Sequence, residues 1–548
     1  GLHRRLALSV HVAAYGQYRQ ALLGDDPGLQ AFAPQVVLLS LEEQDSPLQM
    51  AHTASQQEVD EAVASRVDEL RQLWRAARSR HAAQVVQQAF VPTHAPLFGA
   101  LDATVPAAPR AITERLNAAV RAAAADEGVL VLDLQWQAPP AGWGEGLADP
   151  VRWHQAKQLA SPVLAPLYGD LVARIVAAVA GLSRKCLVLD LDNTVWGGVV
   201  GDDGVDGILL GQGSAEGEAH VAFQRYAASL AHRGVILAVC SKNDDAVARA
   251  AFEHPDMVLR PSDIAAFVAN WDDKAANLRQ IAASLSIGLD SLVFVDDNPA
   301  ERDIIRRELP EVAVPELPED VAGYPARLAA AGYFEAVSFT SDDALRGRSY
   351  AQNAQRAAGL TQATDMAGYL RGLGMKLTAT HVGRMELARV TQLVNKTNQF
   401  NLTTRRYTED QVRRLAEDPS GVALAFRLAD KFGDNGVVSV VLARSDPRLP
   451  PGELLIDTWL MSCRVLGRQV EAAVLQVLAR EAARRGATAL VGEYRPSDRN
   501  AMVAEHFPRL GFEPQAPLPD ADPGSAFWRH DLRGGAPCPQ HFIEWTAP

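Results

Sequence analysis

The chain has 548 residues, 48% of them hydrophobic and 22% charged, and a formal net charge of −13. One hydrophobic core does not span that length, so two to four domains are expected. The acidic balance argues against nucleic-acid binding, which needs basic stripes, and no apolar run is long enough to cross a bilayer. Cys186, Cys240, Cys463 and Cys538 share no spacing typical of zinc or of a disulfide framework, which points to a reducing, cytoplasmic setting. No signal-peptide pattern opens the chain, and its first residue is Gly1 rather than Met, so further sequence upstream is expected.

Residues 1–181 alternate strand-like runs (34–41 and 128–134) with helical stretches such as 59–80, an α/β pattern. Asp133 and the run Asp149-Pro-Val-Arg-Trp-His154 resemble an SGNH hydrolase-like domain. That family's Gly-Asp-Ser nucleophile and Asp-x-x-His pair are absent, so a non-catalytic docking domain is expected here.

Residues 182–340 carry the clearest pattern. Cys186-Leu-Val-Leu-Asp-Leu191 is a continuous apolar run ending in acids, the signature of a central parallel strand buried on both faces. Phe223, Tyr226, Ala227 and Leu230 share one helical face. Gly234 ends that helix, Val235–Cys240 forms the next buried strand, and a helix from Lys274 to Leu285 precedes the strand Leu292–Val295. Strand alternating with helix predicts a doubly wound parallel sheet.

Residues 341–548 read as α+β. Val437–Leu442 and Thr488–Glu493 are strands, and Val470, Ala473, Val474 and Val477 mark an apolar helix face. A polar, Ala-rich connecting helix is expected over 341–362.

Chemistry in an open α/β sheet sits beyond the C-terminal ends of its strands. Here those ends read Asp190-Leu-Asp192-Asn-Thr194, Ser241-Lys-Asn243 and Asp296-Asp297-Asn298. Positions i and i+2 of an extended chain point the same way, so Asp190 and Asp192 can face one substrate. Two like charges about 4 Å apart repel by roughly 4 kcal/mol at an effective dielectric of 20. A cation is needed among these acids, and hard oxygen ligands select Mg²⁺.

The set resembles the four motifs of the haloacid-dehalogenase (HAD) superfamily: Asp190–Thr194, Ser241, Lys274 and Asp296-Asp297. That resemblance implies roles. Asp190 is the nucleophile on phosphorus, and Asp192 protonates the leaving oxygen and then activates water. Ser241 and Lys274 hold the phosphoryl oxygens. Asp190, the backbone carbonyl of Asp192, and Asp296 bind Mg²⁺, with Asp297 in support. Thr194 and Asn243, at the same strand ends, are candidate substrate-binding residues. The interval from Thr194 to Cys240 holds a Gly-rich flap and one amphipathic helix, too little for a cap domain. An uncapped crevice suits a substrate presented on a protein or covered by another domain of this chain.

Longer blocks narrow the resemblance. Lys185–Gly198, Val239–Asn243, Phe294–Arg302, Asn395–Thr404, Phe432–Gly436 and Asp457–Gly467 are similar to the FkbH-like glyceryltransferase/phosphatase family. The resemblance implies that the enzyme dephosphorylates 1,3-bisphosphoglycerate and loads the glyceryl unit onto the phosphopantetheine thiol of an acyl carrier protein, for methoxymalonyl or tetronate polyketide assembly. Thioester formation needs a thiol, and Cys240, beside Lys242 and Lys274, is the first candidate, with Cys463 the second. Met461–Arg468 and the helix after it resemble the pyrophosphate loop of GNAT acyltransferases, which implies that Arg464, Gly467 and Arg468 bind the arm's phosphate. Asn500 and Leu510–Phe512 fit the same pattern. An acidic carrier protein calls for a basic face, with Arg405, Arg406, Arg413 and Arg414 as candidates. Two alternatives stay open: a Mg²⁺-dependent phosphatase whose GNAT-like domain is only structural, and a non-catalytic recruitment scaffold.

Overall fold

The computed structural model describes residues 4, 6–42, 48, 50–91, 95–134, 150–158, 161–340, 343, 356, 365–397, 399–462, 465–534 and 539–548. The chain divides into two compact units, one formed by residues 1–179 with 408–411, the other by 180–407 with 412–548. No helix among the described residues is long and apolar enough to cross a membrane.

In the first unit, β1 (Val36–Leu39), β2 (Gln84–Gln88) and β3 (Leu130–Leu132) form a three-stranded parallel sheet in that order. Helix α1 (Gln56–His81) connects β1 to β2, and α2 (Pro109–Glu127) connects β2 to β3. A capping box starts α1: Ser55 N donates to Glu58 Oε2 at 2.7 Å, and Glu58 N to Ser55 Oγ at 3.3 Å, satisfying two otherwise orphaned groups. Val59, Val63, Leu70 and Trp74 of α1 pack with Leu116 and Val120 of α2 over Val85. Arg121 of α2 pairs with Asp133 at 2.7 Å. Asp149 lies outside the described residues. A last helix, α3 (Ala165–Val179), closes the unit.

Among the described residues, the second unit holds two sheets. The first is parallel throughout, in the order β6-β5-β4-β7: β4 (Cys186–Leu189), β5 (Ile236–Ser241), β6 (Ile264–Ala269) and β7 (Leu292–Val295). Its strands alternate between two cores. Leu187, Leu189, Leu237, Val239, Val293 and Val295 face α4 (Ala215–His232) through Phe223, Ala227 and Leu230. Cys186, Val188, Ile236, Ala238, Cys240 and Phe294 face α5 (Lys274–Ser284) and α6 (Pro299–Glu308) through Leu278, Ile281 and Ile305. Both faces are covered, which accounts for the unbroken apolar runs. β6 is an edge strand that the sequence pattern did not reveal.

The second sheet is mixed and eight-stranded. Its central strands are β9 (Val422–Asp430), β10 (Gly433–Ser445), β11 (Glu453–Met461) and β12 (Ala489–Tyr494), flanked on one side by β8 (Lys376–His381) and β15 (Glu544–Thr546), and on the other by β14 (Ala526–Asp531) and β13 (Glu513–Gln515). Helix α7 (Val470–Arg484) connects β11 to β12, which pair in parallel from Glu453↔Ala489 to Ile456↔Gly492. Beyond that register the segment Phe400–Leu402 links the two strands. Leu402 N donates to Trp459 O at 3.1 Å, Met461 N to Phe400 O at 3.0 Å, and Arg495 N to Leu402 O at 2.8 Å. These bonds satisfy main-chain groups that the diverging strands leave unpaired. The connecting helix expected over 341–362 lies outside the described residues, Asp343 and Arg356 apart.

Candidate active site

Three strand ends converge. Asp190 follows β4, Ser241 ends β5, and Asp296 follows β7. Carboxylate oxygens of Asp190, Asp296 and Asp297 all lie within 4.8 Å of one another. Lys274, the first residue of α5, reaches between two of them: its Nζ is 2.5 Å from Asp296 Oδ2 and 3.1 Å from Asp190 Oδ1.

Burial sets the electrostatics of this cluster. It pushes the Asp190 carboxyl up to about 7; Lys274 pulls it down, and Asp296 pushes it further up. The Asp297 carboxyl is also raised, by burial first and then by the charge of Asp296. For Lys274 burial works against the ammonium, yet Asp190 and Asp296 together raise it above the ordinary lysine value, so it stays charged. Ser241, almost fully buried, acts on the same Asp190 carboxylate.

The donor set fits a hard divalent cation. Three carboxylates against one ammonium leave two negative charges, and every donor is an oxygen. Asp190 Oδ1 is buried and faces the Lys274 ammonium at 3.1 Å without a regular hydrogen bond among the described residues, which leaves it acceptor capacity for a ligand.

The Asp192 carboxylate is outside this group and is turned to the flap. Its Oδ1 accepts from Trp196 Nε1 at 2.9 Å and from Val200 N at 3.1 Å, and its Oδ2 accepts from Asn243 Nδ2 at 2.9 Å. Tight turns shape the flap. Asn193 adopts a left-handed φ of 54°, and its Oδ1 accepts from Gly198 N at 2.9 Å. Gly198 has φ 88°, and a Cβ there would meet Asp203 Oδ2 at 2.6 Å, so only glycine fits. Behind the flap, α4 supplies two buried polar side chains. Gln224 Nε2 donates to Val195 O at 2.9 Å, and His220 Nδ1 lies 3.1 Å from Thr194 O.

No family model matches the chain, and no curated protein does either. Among solved structures, the N-terminal part of the protein BF1531 from Bacteroides fragilis, which contains a phosphatase domain and is complexed with Mg, is 33% identical. The match covers 60% of this chain and 86% of that one, with a TM-score of 0.54. The chain belongs to the family of that phosphatase-domain protein. Also similar are the ribosomal-protein-S18-alanine N-acetyltransferase from Escherichia coli (14% identity, 28% of this chain, 94% of that chain, TM-score 0.22) and Ard1 from Thermoplasma volcanium (16% identity, 28% and 97%, TM-score 0.22).

Within this phosphatase-domain family member, several expected site residues sit elsewhere than the sequence suggested. Cys240 is fully buried. Side-chain alternation holds to the end of β5, so its thiol faces the α5 core, 3.9 Å from Lys274 O. Burial pushes that thiol up to about 12, with Lys274 pulling the other way, which leaves almost no thiolate to carry an acyl group. Thr194 is also fully buried and holds the metal-side loop instead of lining an open pocket. Its Oγ1 donates to Asp297 Oδ1 at 3.2 Å and accepts from Asp297 N at 3.1 Å. Asn243 is engaged with Asp192.

Arg468 is turned inward onto Asp430 at 3.2 Å, and Arg356 takes the other oxygen at 2.7 Å. Gly467 has φ 73°, as a tight turn before α7 requires. Arg464 and Cys463 lie outside the described residues. Of the expected basic face, Arg405 pairs with Glu493 at 2.9 Å and Asp457 at 3.3 Å. Arg406 is pushed down to about 10 by burial, Arg499 adding, and donates to Val394 O and Thr397 O. Arg413 and Arg414 are exposed.

Sequence reasoning missed three residues that support the site: Trp196, Gln224 and Arg302. Arg302 donates to Asp296 O at 2.8 Å and Asp297 O at 2.7 Å, pinning the main chain that aims both acids. Its place at the end of the Phe294–Arg302 block was the available signal.

Proposed function

We propose that the chain is a Mg²⁺-dependent HAD-type phosphatase and acyltransferase of the FkbH-like group, with a GNAT-like C-terminal domain. It removes phosphate from 1,3-bisphosphoglycerate and transfers the glyceryl unit to the phosphopantetheine thiol of an acyl carrier protein in polyketide biosynthesis. The observation that carries the reading is the convergence of Asp190, Asp296 and Asp297 around Lys274. Kinship with a phosphatase-domain protein complexed with Mg supports it.

Asp190, Asp296 and Asp297 would hold the Mg²⁺, which when bound supplies charge neutralisation at the phosphoryl oxygens. The chain's own residues perform the transfer. An Asp190 carboxylate oxygen attacks phosphorus, the bond from phosphorus to the leaving oxygen breaks, and Asp192 gives that oxygen its proton. Asp192, now a carboxylate, takes a proton from water. The water oxygen bonds to phosphorus, the bond to Asp190 breaks, and inorganic phosphate departs. Lys274 and Ser241 hold the phosphoryl oxygens, and both favour the ionised form of Asp190 against its burial.

A second reading is a phosphatase without acyl transfer. It is favoured by the burial of Cys240 and the inward pairing of Arg468 with Asp430. One experiment separates the two. The enzyme is incubated with 1,3-bisphosphoglycerate, Mg²⁺ and a carrier protein bearing phosphopantetheine, and released phosphate and the intact mass of the carrier are measured. A glyceryl adduct supports the transferase, and phosphate without adduct supports the phosphatase alone. Normal phosphate release by Asp190→Asn removes both.

A further inference from the structure

Asp192 is held by donors from three separate places: the indole of Trp196, the main chain of Val200 at the far side of the flap, and the amide of Asn243 after β5. Neither side-chain donor is adjustable. The Trp196 ring is fully buried and packs edge-on against Phe252, with centroids 5.9 Å apart at 85°. Its single N–H is spent on Asp192 Oδ1. Asn243 is buried, and its Oδ1 accepts from Asp244 N at 3.1 Å, which orients the amide so that Nδ2 faces Asp192. The main chain that carries Trp196 is itself anchored by Gln224 and His220 of α4. An aspartate at the mouth of an uncapped crevice has two free side-chain torsions, and these contacts remove both.

From this geometry we infer that Trp196 and Asn243 are positioning residues for Asp192, fixing where its carboxyl delivers a proton to the leaving oxygen. The inference rests on the phosphatase reading and names the determinant of its leaving-group range. A misaimed acid slows expulsion of an alkoxide, which needs the proton, far more than expulsion of p-nitrophenolate, which leaves as a stable anion. The value of kcat/KM reports steps up to and including formation of the aspartyl phosphate, so it isolates that expulsion.

The test compares kcat/KM for glycerol 3-phosphate and for p-nitrophenyl phosphate, with Mg²⁺, in the wild type, Trp196→Phe, Asn243→Ala and Asp192→Asn. Trp196→Phe keeps the aromatic packing and deletes only the N–H. The alkyl-to-aryl ratio is expected to fall about tenfold in Trp196→Phe and Asn243→Ala, and further in Asp192→Asn, since general acid catalysis is worth about 10²–10⁴. An unchanged ratio in both positioning variants, whether the two rates fall together or not at all, overturns the inference. Should Trp196→Phe fail to fold, Asn243→Ala alone decides it. An unchanged ratio in Asp192→Asn overturns the general-acid role itself, and full activity in Asp190→Asn overturns the phosphatase reading, so the failures are distinguishable.

Discussion

Lys274 Nζ sits 2.5 Å from Asp296 Oδ2, and neither side chain is more than 4% exposed. Burying two charges is costly, and their attraction offsets that cost only while both are present. Replacing Lys274 with Met is expected to lower stability by roughly 3–5 kcal/mol, read as a lower urea midpoint, and to abolish phosphate release. An unchanged midpoint would show that the pair does not hold the start of α5 to the end of β7.

Divalent metal is expected to stabilise the fold through the same carboxylates. A ligand that binds only the folded state adds about 2.7 kcal/mol at one hundred times its dissociation constant. Thermal melts across a Mg²⁺ titration should therefore rise, and Asp296→Asn should flatten the response. A rise of equal size in that variant would place the metal elsewhere.

Cys240→Ala should leave phosphate release near the wild-type rate and cost roughly 1–2 kcal/mol of stability, less than the 2–5 kcal/mol usual for a buried Leu→Ala. In the folded protein Cys186 and Cys240, both fully buried, should resist thiol alkylation and react only on unfolding. Loss of an acyl adduct in Cys240→Ala, with the fold intact, would reinstate the thiol as a carrier.

His506 predicts a pH dependence of stability. It is buried between Trp459 (ring centroids 4.5 Å), Phe400 (5.1 Å) and Phe507 (5.4 Å), and its Nε2 has no hydrogen-bond partner among the described residues. Burial pushes it down to about 3 from an ordinary 6.5, with Arg509 adding. Between those values the unfolded chain binds the proton and the folded chain does not. This contribution is complete above pH 6.5 and is lost as pH falls, at about 1.4 kcal/mol per unit. Between pH 7 and pH 5 the gap in unfolding free energy between wild type and His506→Phe should shift by about 2 kcal/mol against the wild type. A constant gap would mean that the ring is already protonated or hydrated in the fold.

Part of the site was legible because local spacing and chain direction carry it. The runs Cys186–Leu189, Ile236–Cys240 and Leu292–Val295 are apolar on both faces, so the polar residues after them had to mark strand ends. Parallel pairing then brings Asp190, Ser241 and Asp296 to one edge. Lys274 could be placed because it stands between the second and third strand ends, where the third HAD motif is expected. β6 was not legible. Its run Ile264-Ala-Ala-Phe-Val-Ala269 is rich in alanine, which favours helix over strand, and only its pairing with β5 makes it a strand.

What the amino-acid order determined by itself was where each buried strand ends and which polar residues stand there: Asp190, Ser241 and Asp296. What only the tertiary structure decided was which distant group each long or polar side chain meets. Arg468 turns to Asp430, 38 residues away, and Arg405 to Glu493, 88 residues away. The sequence pattern alone placed Arg468 on the arm's phosphate and Arg405 on a face for an acidic partner. Asn243 meets Asp192 across 51 residues and so becomes a support for the acid. The physical reason is the range of each constraint. Backbone geometry propagates over two or three residues, whereas a buried charge or amide must find its partner wherever packing brings one.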